Sequence, residues 1–413
     1  MNTVFNLVAI CFWLLLLYYS ILTVGGILFR AKKNSKTKSL EHYPSVAVLI
    51  PAHNEGVVIA DTLHAMSKLE YPGELHIYVL NDSSKDETGE IAQYYDDSYA
   101  HIHHIEVPPG TPRGKSRVLN YGISISQSDY IAVYDADNQP EPHALRLLVE
   151  AAETTPQAVG AVGYVKTINE SRNALTRMIA LEFSAFQLLM QAGRWELFKL
   201  GSLTGTNLII RRDILEQVGG YDPYALAEDA DLTLTLTDIG GLLPIVPEAR
   251  TWEQEPENFK VWLKQRTRWM QGNLYLIEKT IKNPRLFRGR NFIHSAQLLL
   301  VYICFVFFLL MSDLWFLLGL TGKVHSSATT PLLILWFESW LMYYVQLVTA
   351  QMSDKTLRPL DLLVSFLMYF SYAQMWLILL VRGAYYHIKL KLTKKEPIWD
   401  KTARFKQGKN IVG

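Results

Sequence analysis

Apolar and polar positions divide the chain into three zones. From the N-terminus to Phe29 there is no Asp, Glu, Lys or Arg. That run is long enough to cross a hydrocarbon core of about 30 Å. It reads as a membrane helix rather than a cleaved leader, because it lacks a basic start and a small-residue cleavage site. Arg30, Lys32, Lys33, Lys36 and Lys38 follow, which predicts an outward N-terminus and a cytoplasmic middle. Residues 292–320, 331–352 and 360–381 are three further apolar stretches, interrupted by Asp313, by Glu338, and by Asp361 with Gln374. Each is near or above spanning length. Three spans after a cytoplasmic domain leave the C-terminus outside, whereas Lys389, Lys391, Lys394, Lys395, Lys401 and Arg404 place it inside. An interfacial or re-entrant stretch, or an exception to the charge rule, would reconcile the two. The predicted units are an N-terminal helix (1–30), a cytoplasmic domain (31–291), membrane segments (292–386) and a basic tail (387–413).

Between residues 31 and 291 short apolar runs alternate with amphipathic segments. Strands are expected at 45–51, 76–80, 130–134, 159–165 and 207–210, and a helix at 57–69 with Val57, Ala60, Leu63 and Met66 on one side. Strand and helix alternating at this spacing predict an α/β fold, a mostly parallel sheet with helices on both faces. Ligands in such sheets bind beyond the carboxyl ends of the strands.

Composition sharpens this. Hydrophobic residues make up 49% of the chain and charged residues 19%, below the roughly 25% charge of a soluble domain. Forty basic against 39 acidic residues argue against a nucleic-acid binder with a global basic face. Cys11 and Cys304 both lie in apolar runs, which excludes a disulfide framework and a Cys-ligated zinc site.

The polar motifs fall at the strand ends. Pro51-Ala52-His53-Asn54-Glu55 ends the first strand, Asn81-Asp82-Ser83-Ser84 the second, and Asp135-Ala136-Asp137 the third. An Asp-x-Asp at such a point aims two carboxylates into one crevice, where they either hold Mg2+ or Mn2+ against a diphosphate or cap a turn. Glu228-Asp229 opens a helical stretch, as dipole-stabilising acids or as a general base. Gln265-Arg266-Thr267-Arg268-Trp269 lies in an amphipathic segment, 257–281. It reads either as a membrane-surface helix or as an Arg for phosphate with a Trp for a sugar ring. Arg113-Gly114-Lys115 is a basic turn that offers a second phosphate contact or a solvated loop. Within the apolar stretches Glu338, Gln374, Trp336, Trp340, Tyr372 and Trp376 are either pathway-lining groups or packing groups.

In this order, the motifs resemble those of membrane-integrated, processive family-two glycosyltransferases, the group of cellulose, chitin and hyaluronan synthases. The single N-terminal helix, the length and Trp399-Asp400-Lys401-Thr402-Ala403-Arg404 are most similar to the bacterial poly-β-1,6-N-acetylglucosamine synthases. The resemblance implies a glycosyltransferase-A type fold, a UDP-sugar donor, Mg2+ or Mn2+, a growing β-linked polysaccharide acceptor destined for a biofilm or capsule, and a lipid bilayer. It leaves room for a small accessory membrane subunit, and implies no nucleic acid. It further implies that Pro51, His53, Asn54, Glu55 and Asp82 hold the uridine. Lys115 lies near the diphosphate, Asp135 contacts the nucleotide and Asp137 ligates the metal. Asp229, beside Glu228, is the catalytic base. Gln265, Arg268 and Trp269 belong to the donor and acceptor site, and 202–207 flanks the acceptor. Interface helices are implied at 173–200 and 257–281. Two positions depart from the pattern. Ala227 stands where a threonine is usual, and Asn81 to Ser84 replace Asp-Asp-Gly-Ser.

Overall fold

The computed structural model describes residues 2–32, 39–299, 329–393 and 404–405, together with residues 310, 314 and 321. Most of the stretch 292–320 lies outside the described residues, as do Lys33, Lys36, Lys38, Cys304, Trp399 to Ala403 and most of the basic tail.

Eight strands, β1 (Val46–Ala52), β2 (Leu75–Asn81), β3 (Ile102–Glu106), β4 (Tyr130–Val133), β5 (Gln139–Pro140), β6 (Gly160–Thr167), β7 (Leu208–Arg211) and β8 (Ile245–Glu253), form one sheet in the order β3-β2-β1-β4-β7-β6-β8-β5. β1 pairs in parallel with β2 and β4, β2 with β3, and β6 with β8. The sheet is mixed as well as mostly parallel, because β7 runs against β4 and β6, and β5 against β8. The apolar runs are continuous because both faces are covered. Ala47, Leu49 and Ile131 join one buried cluster; Val46, Val48 and Ile50 join the other.

The helices are α1 (Asn2–Lys32), α2 (Ile59–Met66), α3 (Thr88–Ser98), α4 (Lys115–Ile125), α5 (Ala144–Thr154), α6 (Ala174–Ala185), α7 (Ala192–Phe198), α8 (Arg212–Val218), α9 (Glu228–Asp238), α10 (Phe259–Lys282), α11 (Asn291–Leu299), α12 (Thr329–Asp354), α13 (Pro359–Met368) and α14 (Tyr372–Thr393). A π-helical segment, Phe186–Gln191, joins α6 to α7. There the buried amide of Gln187 accepts from Val165 N–H and donates to Val165 C=O, tying the wider turn to β6.

Among the described residues α1 is long and apolar enough to cross a membrane, and α13 with α14 passes the same test only as a pair bent by 41°. Asp361 is no bare charge at the start of that pair. It accepts from Arg358 N–H at 2.8 Å and from buried Arg177 Nε at 2.6 Å. The C-terminal third of α1 is seated on the sheet domain. Phe29 belongs to the same buried cluster as Ala192 and Trp195, Arg30 pairs with Glu248 at 3.2 Å and Lys32 with Glu196. The α1–α7 crossing is so close that a Cβ on Gly193 would lie 2.0 Å from the Leu22 carbonyl oxygen. The aromatics of the two later apolar stretches pack on one another. Trp336 meets Tyr369 edge-on, Trp340 meets Phe366, and the Tyr372 hydroxyl is spent on Glu182.

Candidate active site

All strands except β5 and β7 point one way, so the carboxyl ends of β1, β2, β4 and β8 and the loop entering β7 meet along one edge. At the first two ends His53 Nδ1–H donates to the Asp82 carbonyl at 2.6 Å, and Asn54 Nδ2–H donates to His53 Nε2 at 3.0 Å. The Asn54 side chain also accepts from Lys85 N–H at 2.7 Å, and Glu55 N–H donates to Thr88 Oγ1 at 2.7 Å. Pro51, in β1, and Asp82, just past the end of the parallel neighbour β2, thus share one hydrogen-bonded corner. The Asp82 carboxylate is ion-paired to Arg117 of α4, whose Nη1 also reaches the Pro108 carbonyl.

At the end of β4, Asp135 N–H donates to Thr206 Oγ1 at 3.0 Å, and Thr206 donates to Asn138 Oδ1 at 2.7 Å. The loop before β7 therefore holds the Asp-x-Asp turn. Lys115, at the start of α4, reaches into this turn. Its Nζ lies 2.6 Å from Asp135, 3.5 Å from Glu228 and 2.7 Å from the Gly205 carbonyl. Burial alone would lower its pKa; the carboxylates of Asp135 and Glu228 hold it above the ordinary range. Gly205, in a left-handed conformation at φ +79°, passes so close to Asp229 that a Cβ there would lie 3.5 Å from its Oδ2. The base candidate, the Asp-x-Asp turn and the 202–207 loop meet around one ammonium.

Glu228 and Asp229 open α9, and α10 holds that helix end in place. A Cβ on Gly272 would stand 2.7 Å from the Ala227 Cβ, so the two helices touch at backbone distance where the usual threonine is absent. On the same face of α10, at helical spacing, Tyr275 donates to Asp222 at 3.1 Å and Lys279 pairs with Asp231 at 2.5 Å. Burial and the adjoining Glu228 charge raise the Asp229 pKa to about 7, against the opposing pull of Ala230 N–H and Lys115. A carboxylate poised there suits general base work near neutrality. We expect kcat/KM to fall about tenfold per pH unit below the Asp229 pKa of about 7. Glu228→Gln, which removes the neighbouring charge, should move that limb to lower pH; a pH–rate profile checks both.

The α10 motif splits in two. Arg268 is half-buried near Glu228, Asp135 and Asp229, and desolvation lowers its pKa. Its Nε has no partner, and among the described residues no hydrogen bond or ion pair engages its guanidinium. Such a cation is a standing invitation to an anion. Gln265 is buried with its Oε1 unpartnered. Trp269 stacks on Phe183, and the guanidinium of Arg266, paired with Glu182 at 2.7 Å, lies 4.1 Å from its ring centre.

Asp137 is 3% exposed and gripped by Arg404, at 2.7 Å on Oδ2 and 2.9 Å on Oδ1. Phe405 N–H and C=O both bond the Gln254 side chain at 2.7 Å, fixing that contact. Burial raises the Asp137 pKa despite Arg404. Nearby, burial lifts both Glu253 and Glu255, the latter to about 7. Among the described residues no group of three or more His, Cys, Asp or Glu could hold a metal ion. Asp137 and Asp135 present hard oxygens of the kind that bind Mg2+ or Mn2+ together with substrate phosphates, and in this structure Arg404 and Lys115 occupy them.

Sequence reasoning missed Arg117, the Asp137 partnership of Arg404, and the acids closing β8. The run Trp252-Glu253-Gln254-Glu255-Pro256 carried a signal, since it is a second acid-rich strand end like Asp135-Ala136-Asp137.

The carboxyl edge of the mixed sheet thus holds an acidic crevice with two cations, Lys115 and Arg268, reaching into it. A family model described as glycosyltransferase like family 2 matches residues 44–272, and the chain belongs to that family. A probable glycosyltransferase, YdaM, of Bacillus subtilis (strain 168) is 39% identical over 99% of both chains. A β-monoglucosyldiacylglycerol synthase of Trichormus variabilis is 30% identical, covering 60% of this chain and 53% of that relative. A poly-β-1,6-N-acetyl-D-glucosamine synthase of Staphylococcus epidermidis is 27% identical over 73% of this chain and 72% of its own. Among solved structures, the mannosyltransferase PcManGT of Pyrobaculum calidifontis, in complex with GDP-Man and Mn2+, superposes with a TM-score of 0.57 at 15% identity, over 93% of this chain and 99% of that one. This likeness bears out the glycosyltransferase-A type fold.

Proposed function

We propose that this chain is a membrane-integrated, inverting glycosyltransferase that polymerises a UDP-sugar, UDP-N-acetylglucosamine or UDP-glucose, into a β-linked polysaccharide and passes it across the membrane. The observation that carries the reading is the crevice itself. A carboxylate with a pKa of about 7, Asp229, faces the same space as the unengaged guanidinium of Arg268.

In this mechanism His53, Asn54, Glu55 and Asp82 seat the uridine, and Lys115 and Arg268 receive the diphosphate. Asp137 and Asp135 would hold the divalent cation, which when bound neutralises phosphate charge. An acceptor hydroxyl attacks the anomeric carbon while Asp229 takes its proton. The new C–O bond forms as the bond to UDP breaks, and Arg268 stabilises the departing charge. Inversion of an α-linked donor gives a β-linked product. Trp269, backed by Arg266 and Phe183, lines the acceptor side.

A second reading, single addition to a lipid acceptor, is favoured by the likeness to β-monoglucosyldiacylglycerol synthases. The deciding experiment is UDP release from the purified chain in detergent with Mg2+ or Mn2+, using UDP-glucose, UDP-N-acetylglucosamine, UDP-glucuronate and UDP-galactose in turn, with the product sized. One active donor and a high-mass, glycosidase-sensitive product is the expected result. A short lipid-linked product overturns polymerisation in favour of the second reading.

A further inference from the structure

The buried and half-buried arginines of this protein are not treated alike. Arg177 faces Asp361, Arg266 faces Glu182 and Arg404 faces Asp137. Arg268 has no ion-pair partner among the described residues but opens on the donor crevice, where a diphosphate would meet it. Arg194, on α7, has neither a carboxylate partner among the described residues nor an opening on that crevice. It is 6% exposed, and its one hydrogen bond runs from Nη1 to Gln297 Oε1 at 3.2 Å. Among the described residues no carboxylate pairs with it, and only the Tyr18 and Tyr19 phenols favour its charge. Its Nε has no partner. Beside it on α11, His294 is 8% exposed and its Nε2 is also without a partner. Tyr18 donates to the same Gln297 oxygen at 3.0 Å, leaving the Gln297 amide N–H groups for another acceptor. Two unengaged nitrogens, on two helices, belong to side chains near enough to influence each other's charge, and among the described residues no carboxylate pairs with the guanidinium. Burying a guanidinium without a counter-ion is unfavourable unless a ligand provides one.

The position on α1 identifies the ligand class. Because Phe29, Arg30 and Lys32 are tied to the sheet domain, the part of α1 free to lie in a bilayer ends near Leu22, where Gly193 meets it. Residues 2–21 supply about 20 residues, the length that crosses a core of roughly 30 Å. Tyr18 and Tyr19 then stand in the interfacial belt where tyrosines concentrate, and Arg194 lies at headgroup depth.

We propose that Arg194, His294 and Gln297 form a binding site for the phosphate of an anionic lipid headgroup, at the junction of α1, α7 and α11. A phosphodiester offers the single charge and the several acceptor oxygens that a guanidinium, an imidazole N–H and an amide can share. The proposal rests on the membrane reading above but not on the identity of the sugar or the base.

The test uses the full chain in detergent. Thermal unfolding and native mass spectrometry would be followed on adding dioleoylphosphatidylglycerol, dioleoylphosphatidylcholine or inorganic phosphate, for the wild type, Arg194→Met and Arg194→Lys. Phosphatidylglycerol is expected to raise the wild-type unfolding temperature and remain bound, and phosphatidylcholine to do so far less. Arg194→Met should weaken phosphatidylglycerol binding by about tenfold to a hundredfold, the value of a hydrogen bond to a charged group, and Arg194→Lys should restore part of it. Without lipid, Arg194→Met should unfold no lower than the wild type, because it removes an uncompensated charge. The idea is overturned if Arg194→Met keeps the phosphatidylglycerol shift, or if its lipid-free form unfolds well below the wild type, which would make Arg194 a packing element. An equal shift from inorganic phosphate would overturn the lipid assignment. Failure of the wild type to associate with vesicles of any composition would instead sink the membrane reading.

Discussion

Asp229→Asn is expected to bind UDP as the wild type does and to lose transfer by about 10^2–10^4-fold, the usual contribution of a positioned general base. The isosteric amide keeps the Oδ1 that accepts Ala230 N–H at 2.8 Å and so preserves the start of α9. It cannot accept the acceptor's proton. It also removes one of two adjoining acids, so Glu228 and Lys115 should pair at least as well as before. The measurement is UDP release under saturating donor, set beside UDP affinity by calorimetry. Substantial residual synthesis would show that another group takes the proton.

The second large effect is expected at Asp137. Asp137→Asn should weaken Mn2+-dependent UDP binding by about a hundredfold or more, beyond the 10–100-fold cost of disturbing a residue that merely supports a metal ligand. Metal-independent UDP binding should be unchanged. Both oxygens of Asp137 are engaged by Arg404, and a divalent ion on either oxygen would sit against the guanidinium. Arg404→Gln should therefore tighten Mn2+ binding even as Asp137→Asn abolishes it. Calorimetric titration with Mn2+ alone and with UDP reads both variants. Tight, Mn2+-dependent UDP binding by Asp137→Asn would refute the ligand role.

Much of the architecture could be read from the chain because the central strands are buried on both faces. Val46 to Ile50 and Ile131 to Val133 are continuous apolar runs for that reason. β3, reading Ile102-His103-His104-Ile105-Glu106 at the sheet edge, and β8, carrying Pro247, Glu248 and Arg250, present no such run and escape a hydrophobic count. Strand direction is equally silent, since nothing in Leu208 to Arg211 records that β7 runs backward. Hydropathy likewise joined residues 360–381 into one stretch, although the helix breaks between Met368 and Tyr372 and turns by 41°. Within the site, the motifs at strand ends were legible because topology fixes where such ends lie. Arg117, Arg404 and Arg194 were not recognised by their roles. Each acquires its meaning from a partner, or the lack of one, far away in sequence: Arg404 meets Asp137 across 267 positions.

The seating of the C-terminal third of α1 on the sheet domain bears on how such enzymes could be taken apart or recombined. A fragment starting at residue 31 would drop Phe29 from the apolar cluster and strip Glu248 of its Arg30 partner. It would be a damaged enzyme rather than a liberated one. An anchor exchange between relatives would have to be spliced on the N-terminal side of Leu22, whose carbonyl meets the backbone of Gly193. The last turns of the first helix are inherited with the catalytic domain, and only the part before them is modular.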